Sequence, residues 1–322
     1  EGELYGVPVA VNPTVLLYDR RVFDAAGVAP PAGQLDWPAF VDMAKRLTAG
    51  DAAGGAQVAL NLDVNLLPIL IWQNGGDLGS AAGRRGLLTP AESMPAIAFF
   101  RELIHTHGVM AGMNRTPGGE GPQMRTEMVA PNPGEAHPLI GPNGERVAMQ
   151  LNTYFGGGGP VSWFGTGADG VSPYHLAELP RGRVPATTMG VQSILALNAR
   201  AADPRLAYRA LASLAAEMQK DYAYGVPASR PAAQAMLKLH PYFPEDDAAV
   251  IARALEYGRA LPSAGSDLMA AFYQHLLDPI ASGQKAPAEA ARDAAQALEQ
   301  ILNQRREGSG TQAGAATGAE IP

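Results

Sequence analysis

Two short apolar runs, Tyr5 to Val11 and Val15 to Tyr18, flank the polar Asn12-Pro13-Thr14 near the start of the chain. The pattern predicts strand, polar crossing, strand. A short helical segment carrying Val22 and Phe23 follows and stops at Gly27, a favoured C-terminal cap. After a Pro-rich turn, Asp36 can cap a second helix with Pro38 in its first turn. Phe40, Met43, Ala44 and Leu47 fall on one face of that helix.

Helix-like and strand-like patterns alternate through the rest of the chain. Gln57 to Leu62 reads as a strand. Val64 to Trp72 reads as an apolar helix or buried run that ends at Gln73-Asn74-Gly75-Gly76-Asp77. Thr89-Pro90 opens a helix with Met94, Ile97, Ala98, Phe100, Leu103 and Ile104 at helical spacing, closed by Gly108. Ala111 to Gly144 is rich in Gly and Pro and reads as a long loop region with one short helix. Arg146 to Leu151 is a short strand continued by Asn152-Thr153-Tyr154-Phe155, and Gly156 to Gly159 is a break. Val171 to Leu179 leads to Pro180-Arg181-Gly182, and Val191 to Asn198 is strand-like. Helices are expected over 206–218, 231–239, 246–257, 267–280 and 287–304. Beyond Glu307 almost no large apolar residue occurs, so residues 305–322 are expected to form a disordered tail.

Composition narrows the function classes. The 322 residues suffice for two domains with a substantial core. The net charge of -7, with acids and bases interspersed, argues against a nucleic-acid partner. There are no cysteines, which excludes disulfides, thiolate metal sites and a cysteine nucleophile. No apolar run reaches the ~20 residues that span a bilayer.

The opening stretch resembles the interdomain crossing of bacterial extracellular solute-binding proteins, the sugar-binding family that feeds ABC importers. Tyr5-Gly6-Val7-Pro8, Leu17-Tyr18-Asp19, Phe23, Ala26-Gly27, Pro31, Trp37 and Phe40 fill the family pattern. Asp19 replaces its usual Asn and Asp36 its usual Thr. Later segments extend the resemblance to about residue 304: Trp72 with Gly75-Gly76, Thr89 to Gly108, Gly144 to Met149 with Phe155, Leu179 to Gly182, Thr188-Met189-Gly190 and Gly225 to Ala228.

The resemblance implies an α/β, two-lobe, periplasmic-binding-protein-like fold of type II. In the family this crossing lies roughly a hundred residues into the mature protein, so the amino-terminal lobe is expected to be incomplete. The expected division is 1–12 with 190–261 for that lobe and 13–189 with 262–304 for the other. The crossings would then fall near Asn12, Met189 and Leu261. The implied function is a carbohydrate-binding component of an ABC importer, with permease subunits as partners and no cofactor or metal. The implied location is periplasmic or extracellular, with membrane contact only through a lipid anchor outside this stretch.

Sugars present hydroxyl edges and C–H faces, so they are held by aromatic faces and by planar amides. Such sites lie in clefts between lobes. Trp72, Tyr154 and Phe155 are candidate faces, and Asn12, Asn65, Asn74, Asn152 and Gln192 are candidate amides. Met189 and Gly190 join them at the second crossing. Other constellations fail. Gly165-x-Gly167-x-x-Gly170 is followed by Pro173 rather than a phosphate-binding helix. Gly156 to Gly159 lacks a Gly-Lys-Ser/Thr ending, and His105 and His107 point to different sides of a helix. A sugar hydrolase is the alternative class, since it uses a similar cleft. It needs two carboxylates about 5 to 10 Å apart, and the aromatic-bearing segments carry mostly amides and glycines. A remnant that binds nothing is the third reading.

Overall fold

The structure, a computed structural model, describes residues 6–49, 58–61, 63, 65–76, 90–110, 136–141, 145–153, 171–198, 200–220, 225–239, 245–260 and 266–315. The two expected opening strands are one. Strand β1, Val7–Asp19, runs straight through Asn12-Pro13-Thr14. The helix α1, Arg20–Ala26, follows at once. Asp19 caps it by accepting from the Arg21 backbone N–H, and Gly27 closes it in the left-handed conformation at φ 61°. Helix α2, Trp37–Ala49, starts where the sequence predicts, with Asp36 accepting from the Ala39 N–H at 2.8 Å.

Strand β2 (Val58–Leu60) is followed by α3 (Leu66–Gln73), whose residues are all buried, and by α4 (Pro90–His105). Strands β3 (Val147–Thr153), β4 (Tyr174–Ala177) and β5 (Thr187–Leu195) come next. Helix α5 (Pro204–Met218) is capped by Asp203 with Pro204 at its first position. The short β6 (Val226–Pro227), α6 (Arg230–Leu239), α7 (Glu245–Tyr257) and β7 (Gly258–Arg259) complete this half. The end of the chain is helical: α8 (Ser266–Phe272), a π-helical turn Tyr273–Leu277, α9 (Asp278–Ala281) and α10 (Pro287–Ala315). The expected disordered tail is corrected in part, because α10 continues to Ala315. Once a packed helix is nucleated, each added residue gains a backbone hydrogen bond without a new nucleation cost.

Strand β1 changes partners midway. Val7 to Pro13 pair antiparallel with β5, Val7 opposite Leu195 and Pro13 opposite Met189. From Thr14 on, the partners are β3, starting with Thr14 opposite Thr153, and β4, with Leu17 opposite Leu176. Pro13 thus sits where the ladder is handed over, a position that tolerates a missing N–H. The seven strands form one linked set through β1, with β2 parallel to β3 and β7 parallel to β5.

Alternation along β1 feeds two cores. Leu16 and Tyr18 join Phe23, Phe40, Leu47, Leu67, Ile71, Phe100, Leu276 and Leu298 in the larger one. Val15 and Leu17 face the other way, onto Tyr174, Leu176, Val226, Ala233, Met236, Val250, Ile251 and Ala254. Helix α7 therefore covers β4 and β1, while α6 packs on α7 and on β6. Polar contacts agree: Leu176 N–H donates to Asp247 at 3.1 Å, and Glu178 accepts from Arg253 Nε at 2.6 Å and from the Tyr257 hydroxyl at 3.2 Å. An amphipathic pattern states that a helix has an apolar face, not which sheet receives it.

Six of the nine large hydrophobics exposed among the described residues lie between positions 191 and 214: Val191, Ile194, Leu197, Leu206, Tyr208 and Leu214. Strand β5 is open on both faces there, although its sequence is that of a buried strand.

A candidate ligand site at the strand crossing

Strands β1 and β5 are stitched together where β1 changes partners. Thr14 and Thr188 share a hydrogen bond between their Oγ1 atoms at 2.7 Å, and the Thr187 hydroxyl donates to the Thr14 carbonyl at 2.6 Å. Asn12 lies two residues before Thr14, opposite Gly190. Its side chain is fully buried, yet neither Oδ1 nor Nδ2 has a hydrogen-bond partner among the described residues. A buried amide left unsatisfied costs about 1–3 kcal/mol per group, so it marks a place where a polar molecule is wanted.

Gly225 seals this amide. Its φ is 122°, and a Cβ there would fall 2.1 Å from Asn12 Oδ1. Only glycine supplies both the backbone conformation and the space. Met189 is half-buried and Gly190 exposed. Gly258 of β7 comes so close that an added Cβ would meet Met189 Cβ at 3.2 Å. Asn12, Met189, Gly190 and β7 are therefore brought together.

The other predicted residues divide. Asn152 pairs with Val15 and Gln192 with Ala10 through their strands; their side chains, and Tyr154 and Phe155 entirely, lie outside the described residues. Asn65 precedes α3, and its backbone N–H donates to Asp63 at 2.7 Å. Burial raises the Asp63 pKa, against hydrogen bonds from the Asn65 backbone and side chain that lower it. Trp72 is buried at 2% exposure, so as placed it offers no open face to a sugar. The Arg259 guanidinium lies over its ring, 5.0 Å from the centroid, and the indole Nε1 has no partner.

Gln73, beside it, was not among the predicted site residues and holds the surrounding frame. Its Oε1 accepts from Trp37 Nε1 at 2.6 Å, and its Nε2 donates to the carbonyls of Pro180 and Ala186 at 2.8 and 3.1 Å. Thr14, Thr188 and Arg259 were missed too. Their signal is positional, and only strand pairing reveals it. Gly225 stood in a recognised motif without a stated role.

The described residues hold no group of three or more His, Cys, Asp or Glu that could bind a metal, and no described helix is long and apolar enough to cross a membrane. What the crossing offers is an amide, backbone and a cation beside a buried aromatic: the equipment of recognition.

Comparison with known proteins agrees. An ABC substrate-binding protein from Listeria monocytogenes, solved with cycloalternan, superposes with a TM-score of 0.63 at 18% identity, over 94% of this chain and 73% of its own. The cyclic alpha-maltosyl-1,6-maltose binding protein of Arthrobacter globiformis gives a TM-score of 0.64 at 16% identity, with the same coverage of 94% and 73%. These likenesses establish the two-lobe periplasmic-binding fold. In sequence, the chain is 28% identical over 122 residues to the arabinooligosaccharide-binding protein of Halalkalibacterium halodurans, over 37% of this chain. The match spans about a quarter of that relative's length, 26%. Residues 1–220 match the family of bacterial extracellular solute-binding proteins, and with more than half of it so matched, the chain belongs to that family.

Proposed function

We propose that this protein is the carbohydrate-binding component of an ABC importer. It holds a mono- or oligosaccharide in the cleft at the strand crossing, outside the cytoplasm, and presents it to membrane permease subunits. It performs no chemistry of its own. The observation that carries this reading is the match of residues 1–220 to the family of bacterial extracellular solute-binding proteins; at the point where β1 passes between its two sets of partners, the Asn12 amide has no hydrogen-bond partner among the described residues. An amide is the right donor–acceptor pair for a sugar hydroxyl.

In the same reading Asn65, Asn152, Tyr154, Phe155, Met189, Gly190 and Gln192 line the cleft. The lobes are divided at crossings near Asn12, Met189 and Leu261. Calorimetry with a panel of mono- and oligosaccharides tests the function, alongside turnover of nitrophenyl glycosides. Saturable binding without turnover is expected. Turnover, or the absence of binding to every saccharide tried, overturns the reading.

A further inference from the structure

We propose that Arg259 is a specificity-determining residue of the cleft and that it selects saccharides bearing a carboxylate. This rests on the carbohydrate-binding reading above and names the ligand class within it. Trp72 was the expected ligand contact here, but its ring is buried beneath the guanidinium. The surface that this pair turns outward is therefore the exposed Arg259.

Arg259 is held in place from three sides. Strand β7 pairs in parallel with Thr187 and Thr188. Gly258 packs against Met189. The guanidinium lies 5.0 Å from the Trp72 ring centroid, the arrangement of a cation–π contact. Its strand partner Thr188 bonds to Thr14, two residues from Asn12, so the cation stands at the crossing itself.

Among the described residues its charge is unanswered. Arg21 has Asp19 and Arg253 has Glu178 as ion-pair partners. No such partner for Arg259 occurs among the described residues. The N–H donors of this guanidinium have no hydrogen-bond partner among the described residues, and such a fork matches a carboxylate bidentately. Neutral hydroxyls accept from it too, but only an anion also answers the charge. A merely structural Arg259, a cover for Trp72, predicts no such preference.

The test uses the full chain and matched ligands: galacturonate and its α-1,4 dimer against galactose and α-1,4-galactobiose, by calorimetry at low and high salt. The acidic member of each pair is expected to bind roughly tenfold tighter or more at low salt, with the gap narrowing as salt rises. In R259Q the gap closes because uronate affinity falls by much more than neutral-sugar affinity, and R259K retains part of it. If R259Q does not fold, the salt dependence of the wild-type preference decides. Equal affinity within the pairs, failure of the uronates to bind, or a preference that survives in R259Q overturns the proposal. Neutral binding without an acid preference sinks this proposal alone; no saccharide binding of any kind sinks the carbohydrate reading with it.

Discussion

Asn12 and Gln73 are both fully buried amides, and they answer to different forces. Every polar atom of the Gln73 side chain is engaged, by Trp37, Pro180 and Ala186. Gln73→Ala strands an indole N–H and two carbonyls in the interior, and a loss of about 2–3 kcal/mol in urea-unfolding free energy is expected. The Asn12 side chain satisfies nothing among the described residues. Asn12→Ala should leave the unfolding midpoint unchanged or raise it, while saccharide affinity measured by calorimetry drops. A large loss of stability in Asn12→Ala would instead make it a structural residue. Asp19 is a third instance of residue-scale logic. It stands where the family pattern has Asn, and Arg21 answers the buried carboxylate through Nε at 2.9 Å and Nη2 at 2.7 Å. The replacement was legible in the sequence; its compensation two residues on was visible but unread.

Among the elements, β4 carries the buried Tyr174, whose hydroxyl accepts from Arg21, and α7 carries the half-buried Tyr257, whose hydroxyl donates to Glu178. Burial pushes the Tyr174 pKa from 10.0 up to about 12, with the Arg21 charge opposing and Asp19 adding to the shift. Burial, and then the Glu178 charge and hydrogen bond, raise Tyr257 as well. Below the unfolded value near 10 both states hold these protons, and this contribution to stability is complete. As pH rises from about 10 toward 12, the unfolded chain releases protons that the folded chain keeps, so stability falls. Urea unfolding across that window should show the decline, and Tyr174→Phe should flatten part of it. Strand β5 carries the opposite property. Met189 to Leu195 has no charge or proline, and Val191 and Ile194 are 42% and 58% exposed. Uncharged open strands invite pairing with another chain. Concentration-dependent association is expected in light scattering, and Ile194→Lys should reduce it. Most helices were legible within a residue or two, because periodicity and caps such as Asp36 and Gly27 are local. The unity of β1 was not, since a polar trio in one chain looks alike whether it bends or runs straight.

For the whole molecule, the larger core is built from α1–α4 and α8–α10 around β2, β3 and the second half of β1. Among the described residues, the side beyond β5 and α5 is thinly covered. If the proposed cleft has one substantial wall it loses contacts, and ~3 kcal/mol of them weakens binding more than a hundredfold. Saccharide affinity weaker than micromolar is therefore expected for this chain in calorimetry. Micromolar or tighter binding by a monodisperse monomer would show that the thin side contributes little to the site.

The sequence by itself determined the alternation of strands and helices, the family, and the importance of the stretch around Asn12. Those follow from local patterning and from motifs contiguous in the chain. Only the tertiary structure decided that α7 packs on β4, that Gly225 lies against Asn12, and that Arg259 rather than Trp72 faces outward. Each of these joins positions far apart in sequence, Trp72 with Arg259 and Asn12 with Gly225. Such pairs are set by sheet register and close packing, which no single stretch of the chain encodes.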